Sequence, residues 1–337
     1  MVKVVAEISS NHGNKFEIGK ELIEIAADAG ADVVKFQAYT ADTMTLNIDG
    51  PMFRVNHPKW GSQSLYDLYS EASTPWEWIK EFKKIADDNG LLFLCTSFDK
   101  SSVDFLESLG VYSHKIASFE LNDLPLIQHA ASTHKPLILS TGMASLCEIT
   151  EAVEAARSGG AIDITLLRCV SAYPASPSDI HLQTIPCLSE TFGCKVGLSD
   201  HTLGVGVSIG AVALGASMVE KHFTLDRNIE TPDAFFSVEP KELKYLVENI
   251  RIVSEAIGEI KFNNKGQMHS LRRSIFVSED IKEGEVFADE NIKCIRPAFG
   301  LPPKYYPLVI GRCASTNIAR GTPLSWELVG EFSQKQS

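Results

Sequence analysis

Short apolar runs alternate with amphipathic stretches between residues 2 and 223, and this alternation predicts a parallel sheet built from βα units. Eight runs are predicted as strands, namely Lys3–Ile8, Asp32–Phe36, Leu91–Cys95, Tyr112–Ile116, Pro136–Leu139, Asp163–Cys169, Lys195–Leu198 and Ser217–His222. Apolar residues recur at helical spacing in the intervening segments Phe16–Ala29 and Trp76–Asp88. Eight such units predict a closed (β/α)₈ TIM barrel, whose usual size of about 250 residues fits this part of the chain.

A second domain is predicted where this alternation stops. The last barrel helix is predicted at about Pro240–Ile257, so the barrel domain is expected to span residues 1–262. A polar stretch over 263–270 predicts a linker. Residues 271–337 contain short apolar runs separated by Gly and Pro turn signals, which predict a small, compact, β-rich domain.

Composition narrows the class of protein. Of the 337 residues, 44% are hydrophobic and 22% are charged, as in an ordinary soluble globular protein. The net charge of −12 is not offset by any stripe of Lys and Arg, so nucleic acid and anionic membrane surfaces are not expected as partners. The N-terminal segment lacks the features of a secretory signal, and no apolar stretch approaches the roughly 20 residues of a membrane helix. Seven scattered cysteines without a Cys-x-x-Cys pair argue against a disulfide framework, so we expect a cytoplasmic protein.

Polar residues stand at the end of every predicted strand, and in a barrel of this type the catalytic groups come from the carboxyl-terminal strand ends. In chain order these residues are Glu7, Lys35 with Gln37, Thr96, Lys115 with Ser118, Ser140, Arg168 with Ser171 and Tyr173, Ser199 with His201, and Glu220 with His222. Each one alone could be a surface lysine or a helix cap. Eight polar strand ends together favour a site at one mouth of the barrel.

These residue types indicate a phosphorylated ligand beside a metal ion. Lys35 and Lys115 end otherwise apolar strands, where a buried cation needs an anion such as phosphate or carboxylate. Hydroxyl donors surround the same mouth, at Thr96, Ser118, Ser140 and Ser199. His201 and His222 end adjacent strands and could hold one divalent metal ion, although ordinary hydrogen-bonded histidines are the alternative.

The motifs that carry these residues resemble those of the phosphoenolpyruvate-dependent sialic acid synthases. In chain order they are Ala-Glu7-Ile-Ser-Ser-Asn11-His12, Val-Lys35-Phe-Gln37, Cys-Thr96-Ser-Phe-Asp, Lys115-Ile-Ala-Ser118, Leu-Ser140-Thr-Gly-Met, Cys-Val-Ser171-Ala-Tyr173-Pro, Gly-Leu-Ser199-Asp-His201-Thr and Glu220-Lys-His222-Phe-Thr. The tail motifs Arg272-Arg-Ser-Ile-Phe, Ile-Arg296-Pro and Gly-Leu-Pro-Pro resemble the antifreeze-like (SAF) domain that follows the barrel in this family.

The resemblance implies that phosphoenolpyruvate condenses with the open-chain aldehyde of an acylated amino sugar, giving a nine-carbon α-keto acid and phosphate. It implies that His201 and His222 bind a divalent metal, usually manganese, with magnesium or cobalt as alternatives. It assigns phosphoenolpyruvate binding to Lys35, Thr96, Lys115, Ser118, Ser140 and Ser199, with Gln37 nearby. It places Glu7, Tyr173, Glu220 and Asp233 against the sugar or the water that adds to C2. It also implies a domain-swapped homodimer, in which Arg296 acts across the interface.

Two segments look like the pseudaminic acid synthase branch of this family. They are residues 60–78, in the long connection after the second strand, and Asp233-Ala-Phe-Phe-Ser. Apolar residues near C6 of the sugar would favour a 6-deoxy substrate, namely 2,4-diacetamido-2,4,6-trideoxy-altrose; the alternative is that these aromatics only pack the connection onto the barrel. Ser171 stands where N-acetylneuraminate synthases often carry Asn, so a donor to either substrate is expected to be rearranged.

Three other functions remain open from the sequence. An N-acetylneuraminate or legionaminate synthase would use the same chemistry on another sugar. A Schiff-base aldolase would use Lys115 or Lys35 as a nucleophile. A non-catalytic sugar-binding protein would not require the two histidines beside two lysines.

Overall fold

The computed structural model describes residues 1–55, 62–262 and 268–332. The chain divides into two compact units, Met1–Gly258 and Glu259–Ser337. Residues 263–267 of the predicted linker lie outside the described residues, as do Trp60 and Gly61 of the segment compared with the pseudaminic acid synthase branch. The domain bounds of 1–262 and 271–337 therefore stay predictions.

The first unit is a closed barrel of eight parallel strands, as predicted. The strands are β1 Lys3–Glu7, β2 Val33–Ala38, β3 Leu92–Ser97, β4 His114–Ile116, β5 Leu137–Ser140, β6 Ile164–Cys169, β7 Lys195–Asp200 and β8 Met218–His222. Each strand begins and ends within two residues of its predicted run. β3 and β7 continue to Ser97 and Asp200 because backbone pairing with the neighbouring strands does not depend on side-chain polarity.

Helices surround the barrel and fill the connections. They are α1 Phe16–Asp28, α2 Ala41–Met44, α3 Leu65–Ala72, α4 Trp76–Asp88, α5 Lys100–Ser108, α6 Leu124–Ala131, α7 Leu146–Ser158, α8 Pro177–Ile180, α9 Thr184–Phe192, α10 Gly206–Ala213 and α11 Pro240–Ile257. Single 3₁₀ turns lie in several of the connections, among them Ser9–His12, Pro51–Phe53, Ser118–Glu120 and Ala234–Phe236. α4 and α11 have the predicted bounds, and α1 ends one residue earlier than predicted.

Side chains inside the barrel form layers, because residues two apart on a strand point to the same face. The lower layer is an apolar cluster made of Val5, Val33, Leu94, Ile138, Leu167 and Met218. The residues two positions further along the same strands are polar or ionisable, namely Glu7, Lys35, Thr96, Ser140, Cys169 and Glu220. We call these six residues, together with Lys115 and Ser199, the middle layer. The apolar lower layer thus leaves the polar groups at one end of the barrel.

The second unit is β-rich, as predicted. It contains β9 Ser274–Val277, β10 Ile292–Ile295, α12 Tyr306–Val309, β11 Arg312–Ala314 and β12 Val329–Phe332, with 3₁₀ turns at His269–Leu271, Pro303–Tyr305 and Trp326–Leu328. β9 pairs with β10 and β11 pairs with β12, both antiparallel. Its own small core includes Ile275, Phe287 and Leu324. Among the described residues, no helix is long and apolar enough to cross a membrane.

Candidate active site

Lys35 lies at the centre of an ionic cluster in the middle layer. Its Nζ is 2.8 Å from Glu220 Oε1 and 3.3 Å from Glu7 Oε2, and all three side chains are almost fully buried. Ser199 Oγ donates a hydrogen bond of 2.9 Å to the same oxygen of Glu220. The anion expected beside Lys35 is thus supplied by two carboxylates of the chain itself, which β1 and β8 bring to this lysine, and its contact with phosphoenolpyruvate stays a prediction.

The two carboxylates share one cation and differ in protonation. Burial raises the pKa of Glu7 to about 7, and the Lys35 ammonium only partly opposes this. Burial would also raise the pKa of Glu220, but Lys35, Lys115 and the hydrogen bond from Ser199 outweigh it and hold that pKa well below its usual range. Glu220 is therefore the ionised partner, and Glu7 can hold or release a proton near neutral pH.

Lys115 has no ion-pair partner within 4.0 Å among the residues that the structure describes. Its Nζ donates to Ser140 Oγ at 2.7 Å and to the Ile116 carbonyl at 3.0 Å, which leaves one of three ammonium hydrogens for a ligand. Burial lowers its pKa to about 8. Thr96 is its register partner on β3, and the buried Thr96 Oγ1 has no hydrogen-bond partner in the described structure. These two unsatisfied donors fit an anion.

Gly142 and Ser118 continue this anion-binding arrangement beyond the middle layer. The Gly142 backbone N–H donates to Ser118 Oγ at 3.0 Å. A Cβ at position 142 would lie 2.4 Å from Ser171 Oγ and 2.7 Å from Ser118 Oγ. Only glycine allows three chain segments to approach this closely.

The two histidines of the predicted metal site lie side by side, with ring centroids 5.3 Å apart. His201 Nδ1 is 2.8 Å from the Val170 carbonyl, which can only accept, so Nδ1 carries a proton and Nε2 is the nitrogen available to a metal ion. Burial disfavours the charged form of this ring, but Cys169 and the Val170 carbonyl outweigh burial and raise its pKa, so a metal ion would have to displace the Nε2 proton. His222 Nδ1 is buried without a hydrogen-bond partner among the described residues and stands 3.9 Å from Asp233 Oδ2. Burial and the neighbouring His201 hold the pKa of His222 well below its usual range, so this ring is neutral.

These features fit a metal ion with two protein ligands and open positions. The described residues contain no group of three or more His, Cys, Asp or Glu side chains that could enclose a metal ion. The two imidazoles would leave the remaining coordination positions to water or substrate, which is typical of a catalytic rather than a structural site.

A cavity of about 800 Å³ lies at this mouth of the barrel. Its polar side is formed largely by residues two positions beyond the middle layer, including Gln37, Ser171 and His222. Tyr173 and Asp233 line the same side: the Tyr173 ring is 4.4 Å from the His201 ring, and Asp233 Oδ2 accepts a 3.0 Å hydrogen bond from Ser10 Oγ.

The other side of the cavity is an apolar wall contributed by α3. Leu65, Leu68, Tyr69 and Ala72 line the cavity at helical spacing. No residue of α3 is fully buried, because its apolar face borders the cavity instead of the barrel core. Two hydrogen bonds join this region to the loop after β1, from Asn14 Nδ2 to the Glu71 carbonyl at 2.7 Å and between His12 Nε2 and Thr74 Oγ1 at 2.9 Å.

The described aromatic residues of the predicted sugar-recognition segment are Tyr66, Tyr69, Trp76 and Trp78, of which Tyr66 donates a hydrogen bond of 3.1 Å to Asp42 Oδ1. Tyr69 lines the cavity. Trp76 stacks on Phe105 with ring centroids 4.4 Å apart, and Trp78 packs edge-on against Phe16, so the two tryptophans only hold the connection on the barrel.

Arg168 was wrongly placed at the site. It points out of the barrel, and its guanidinium donates to the carbonyls of Ile180 and Asp179. The inward residue of β6 is Cys169, whose Sγ lies 3.9 Å from His201 Nδ1. Burial alone would raise the pKa of this thiol, but His201, the Ser118 hydroxyl and Lys115 lower it to about 7. The sequence could have identified Cys169, because it lies two residues after the inward-pointing Leu167 on the same strand.

Glu120 is a second group that the sequence reasoning missed. It lines the cavity, its Oε2 is buried without a hydrogen-bond partner in the described structure, and burial raises its pKa to about 7. Its only sequence signal is its place two residues after Ser118. Arg296 follows β10 in the second unit and is exposed, and its action across a dimer stays a prediction.

Comparison with known proteins shows the family to which the chain belongs. The NeuB family model matches residues 22–262 and the SAF domain model matches residues 272–330. The pseudaminic acid synthase of Helicobacter pylori is 42% identical over 327 residues, covering 96% of each chain. That of Campylobacter jejuni subsp. jejuni serotype O:23/36 is 40% identical over 326 residues, covering 96% of this chain and 95% of the relative. A crystal structure of an N-acetylneuraminic acid synthetase from Leptospira borgpetersenii serovar Hardjo-bovis, in complex with citrate, has a TM-score of 0.71 at 31% identity, covering 79% of this chain and 88% of that one.

Proposed function

Since the chain belongs to the NeuB family and carries a SAF domain after its barrel, we propose that it is a pseudaminic acid synthase. It condenses phosphoenolpyruvate with the open-chain aldehyde of 2,4-diacetamido-2,4,6-trideoxy-altrose and water, and yields pseudaminate and phosphate. Full-length similarity to two pseudaminic acid synthases supports the reaction. The observation that carries the proposal is a cavity at the barrel mouth with an apolar wall on one side and Gln37, His222 and Asp233 on the other. The polar middle layer, with Lys115 and Glu7, lies two residues before this lining on the same strands.

The anionic substrate is assigned to the middle layer. Lys115 has a donor to spare, Thr96 has an unsatisfied hydroxyl, and Ser140 is already hydrogen-bonded to the lysine. A phosphate or carboxylate placed here would pair with the buried Lys115 cation and form charge-assisted hydrogen bonds. Lys35 acts differently, since it is held by Glu7 and Glu220 and orients those carboxylates.

Proton transfer is assigned to Glu7. In the reaction C3 of phosphoenolpyruvate forms a bond to the aldehyde carbon, water adds to C2, and the C2–O bond to phosphate breaks. The added water must lose protons as the C2 ketone forms. A carboxyl group with a pKa of about 7 can accept such a proton and release it again. Tyr173 and Asp233, which line the cavity, are placed to contact the sugar.

Metal binding is assigned to His201 and His222. Their rings are adjacent and that of His222 is neutral, which fits Mn²⁺, with Mg²⁺ or Co²⁺ as alternatives. When bound, the cation would supply Lewis-acid polarisation of the aldehyde oxygen. Treatment with a chelator should abolish turnover and added Mn²⁺ should restore it, whereas turnover that survives exhaustive chelation would refute metal dependence.

The apolar wall of α3 supports the choice of sugar. The aldehyde end of an open-chain hexose must face the histidines, so the C4–C6 end extends away from them. A deoxy carbon and an acetamido methyl at that end suit Leu65, Leu68 and Ala72 better than hydroxyl groups do, because unpaired hydroxyls against apolar surface are costly.

The direct test measures phosphate release from phosphoenolpyruvate with each candidate sugar. We expect 2,4-diacetamido-2,4,6-trideoxy-altrose to be used more efficiently than N-acetylmannosamine and than the sugar precursor of legionaminate. Faster turnover of either competitor would refute the substrate assignment and leave the family unaffected. His222→Ala should lose turnover, and unaltered activity would refute the role of that histidine.

Assembly is proposed on the resemblance alone. We propose a domain-swapped homodimer in which Arg296, exposed after β10, reaches the partner's barrel. Mixing a His222→Ala chain with an Arg296→Ala chain should restore part of the activity that each lacks, since a mixed dimer then contains one intact site. Absence of any restoration under conditions of subunit exchange would refute action in trans.

A further inference from the structure

A buried ion pair lies behind the two histidines, outside the barrel interior. Lys221 Nζ is 2.9 Å from Asp200 Oδ2, and their side chains are 1% and 0% exposed. Neither residue lines the cavity. A buried ion pair adds little or no stability compared with apolar residues of the same size, so its presence calls for another explanation such as fixing a specific arrangement.

This pair holds the chain on both sides of His201. Lys221 Nζ donates to Asp200, which precedes His201, and also to the carbonyl of Thr202, which follows it, at 2.6 Å. Asp200 Oδ1 in turn accepts from the Thr202 backbone N–H at 2.9 Å and from its hydroxyl at 2.7 Å. Since Lys221 directly precedes His222, one side chain ties the backbone of one histidine to that of the other.

The same pair fixes the register at the ends of β7 and β8. Asp200 and Lys221 are partners in the parallel ladder, as are Ser199 and Glu220 on the inward face. Ser208 of α10 donates to Asp200 Oδ2 at 2.5 Å, which fixes the carboxylate from a third element. A slip of one residue would turn a histidine to the opposite face of the sheet, so the position of both imidazoles depends on this register.

We propose that Asp200 and Lys221 are positioning residues that hold the imidazoles of His201 and His222 at the spacing at which one divalent cation binds both. The inference rests on the metal site assigned under the proposed function. It adds that the geometry of the site is set by a buried contact on the opposite face of the strands from the ligands.

The test compares two double substitutions with the same chemistry. Asp200→Asn with Lys221→Met removes both charges together, so no buried charge is left unpaired. Asp163→Asn with Lys195→Met is the matched control, because that pair is partly exposed at the start of β7 and has a similar distance of 2.8 Å between Nζ and Oδ2. For the full-length wild type and both variants, titration calorimetry would measure binding of Mn²⁺ alone and of phosphoenolpyruvate alone, and thermal unfolding would measure stability.

We expect Mn²⁺ affinity to fall about tenfold or more in the Asp200/Lys221 variant, as is usual when groups that orient metal ligands are removed. Phosphoenolpyruvate affinity should stay within about twofold of wild type, because Lys115 and its partners are untouched. The control should match wild type in both titrations. A merely structural role would weaken both ligands together or lower only the unfolding temperature.

The outcomes distinguish failure of the positioning role from failure of the metal site itself. Wild-type Mn²⁺ affinity in a folded Asp200/Lys221 variant overturns the positioning role alone. A wild-type protein that binds no Mn²⁺, or a His222→Ala variant that binds it as well as wild type, overturns the metal site and the positioning role with it. If the double variant does not fold, Ser208→Ala carries the test, with an expected loss of Mn²⁺ affinity of about threefold; unchanged affinity overturns the inference.

Discussion

Replacing Lys115 by methionine tests the anion-binding assignment most directly. The substitution keeps the length and apolar stem of the side chain and removes the ammonium. In the structure two of the three ammonium hydrogens are used, by Ser140 and the Ile116 carbonyl, so one charge-assisted hydrogen bond to the ligand is lost. Such a bond contributes about 1.5–3 kcal/mol, which corresponds to an increase in KM for phosphoenolpyruvate of roughly 10- to 150-fold. KM for the sugar should change little.

The same lysine predicts a pH dependence. Its pKa of about 8 is below the ordinary lysine value because burial disfavours the charged form. The ammonium therefore persists below about pH 8 and is lost as pH rises through that value. We expect kcat/KM for phosphoenolpyruvate, which reports the free enzyme, to fall above about pH 8 in the wild type and to lose this step in Lys115→Met.

Steady-state phosphate release between pH 6 and 10 is the assay, with Lys195→Met as the control because that lysine is 61% exposed at the other end of the barrel. A KM for phosphoenolpyruvate within about threefold of wild type in a folded Lys115→Met variant would contradict the reasoning. So would an identical alkaline step in wild type and variant. Borohydride with pyruvate should trap no adduct on Lys115; a trapped adduct would instead favour the Schiff-base aldolase.

Three further substitutions probe other parts of the site. Leu68→Asn should raise KM for the 6-deoxy sugar several-fold, since each methyl group of the sugar that is no longer buried against the wall costs about 0.8 kcal/mol. Leu46→Asn is the control, because Leu46 is exposed and lies outside the cavity, and it should leave this KM unchanged. Equal effects of the two substitutions would contradict the role of α3. Lys35→Met should lower the free energy of unfolding, measured by denaturant titration, by about 3–5 kcal/mol, since two buried carboxylates lose their cation. A loss below about 1 kcal/mol would show that Lys35 does not stabilise Glu7 and Glu220 in the folded protein. Gly142→Ala should raise KM for phosphoenolpyruvate by about tenfold or more because the added methyl group would collide with Ser171 and Ser118, and an unchanged KM would place the anion elsewhere.

Sequence periodicity was sufficient to predict the barrel and the strand ends. Eight apolar runs at regular spacing admit few other topologies, and the polar residue that ends each run marks the mouth of the barrel. The adjacency of His201 and His222 followed from the same reasoning, since consecutive strands of a barrel are neighbours. The error at Arg168 arose because polarity alone was used to choose the residue at the end of β6. The alternation of side chains along the strand places Leu167 and Cys169 on the inward face and Arg168 on the outer one.

Two features required the three-dimensional structure. The pairing of Lys35 with both Glu7 and Glu220 depends on closure of the barrel, which places β1 between β2 and β8. The apolar face of α3 depends on where a long connection folds back, and local spacing alone cannot distinguish a face that packs on the core from one that borders a cavity.

The apolar wall belongs to the connection between β2 and β3, whereas the lysines, carboxylates and histidines belong to the strands. On the proposed function, bond formation and the apolar part of sugar recognition are encoded in separate stretches of the gene. Evolution can exchange one stretch without disturbing the other, and so can an engineer: a chimera that carries the corresponding connection of a relative with another sugar preference should inherit that preference on an unchanged barrel. New nonulosonate synthases would then be accessible by exchanging a single surface segment.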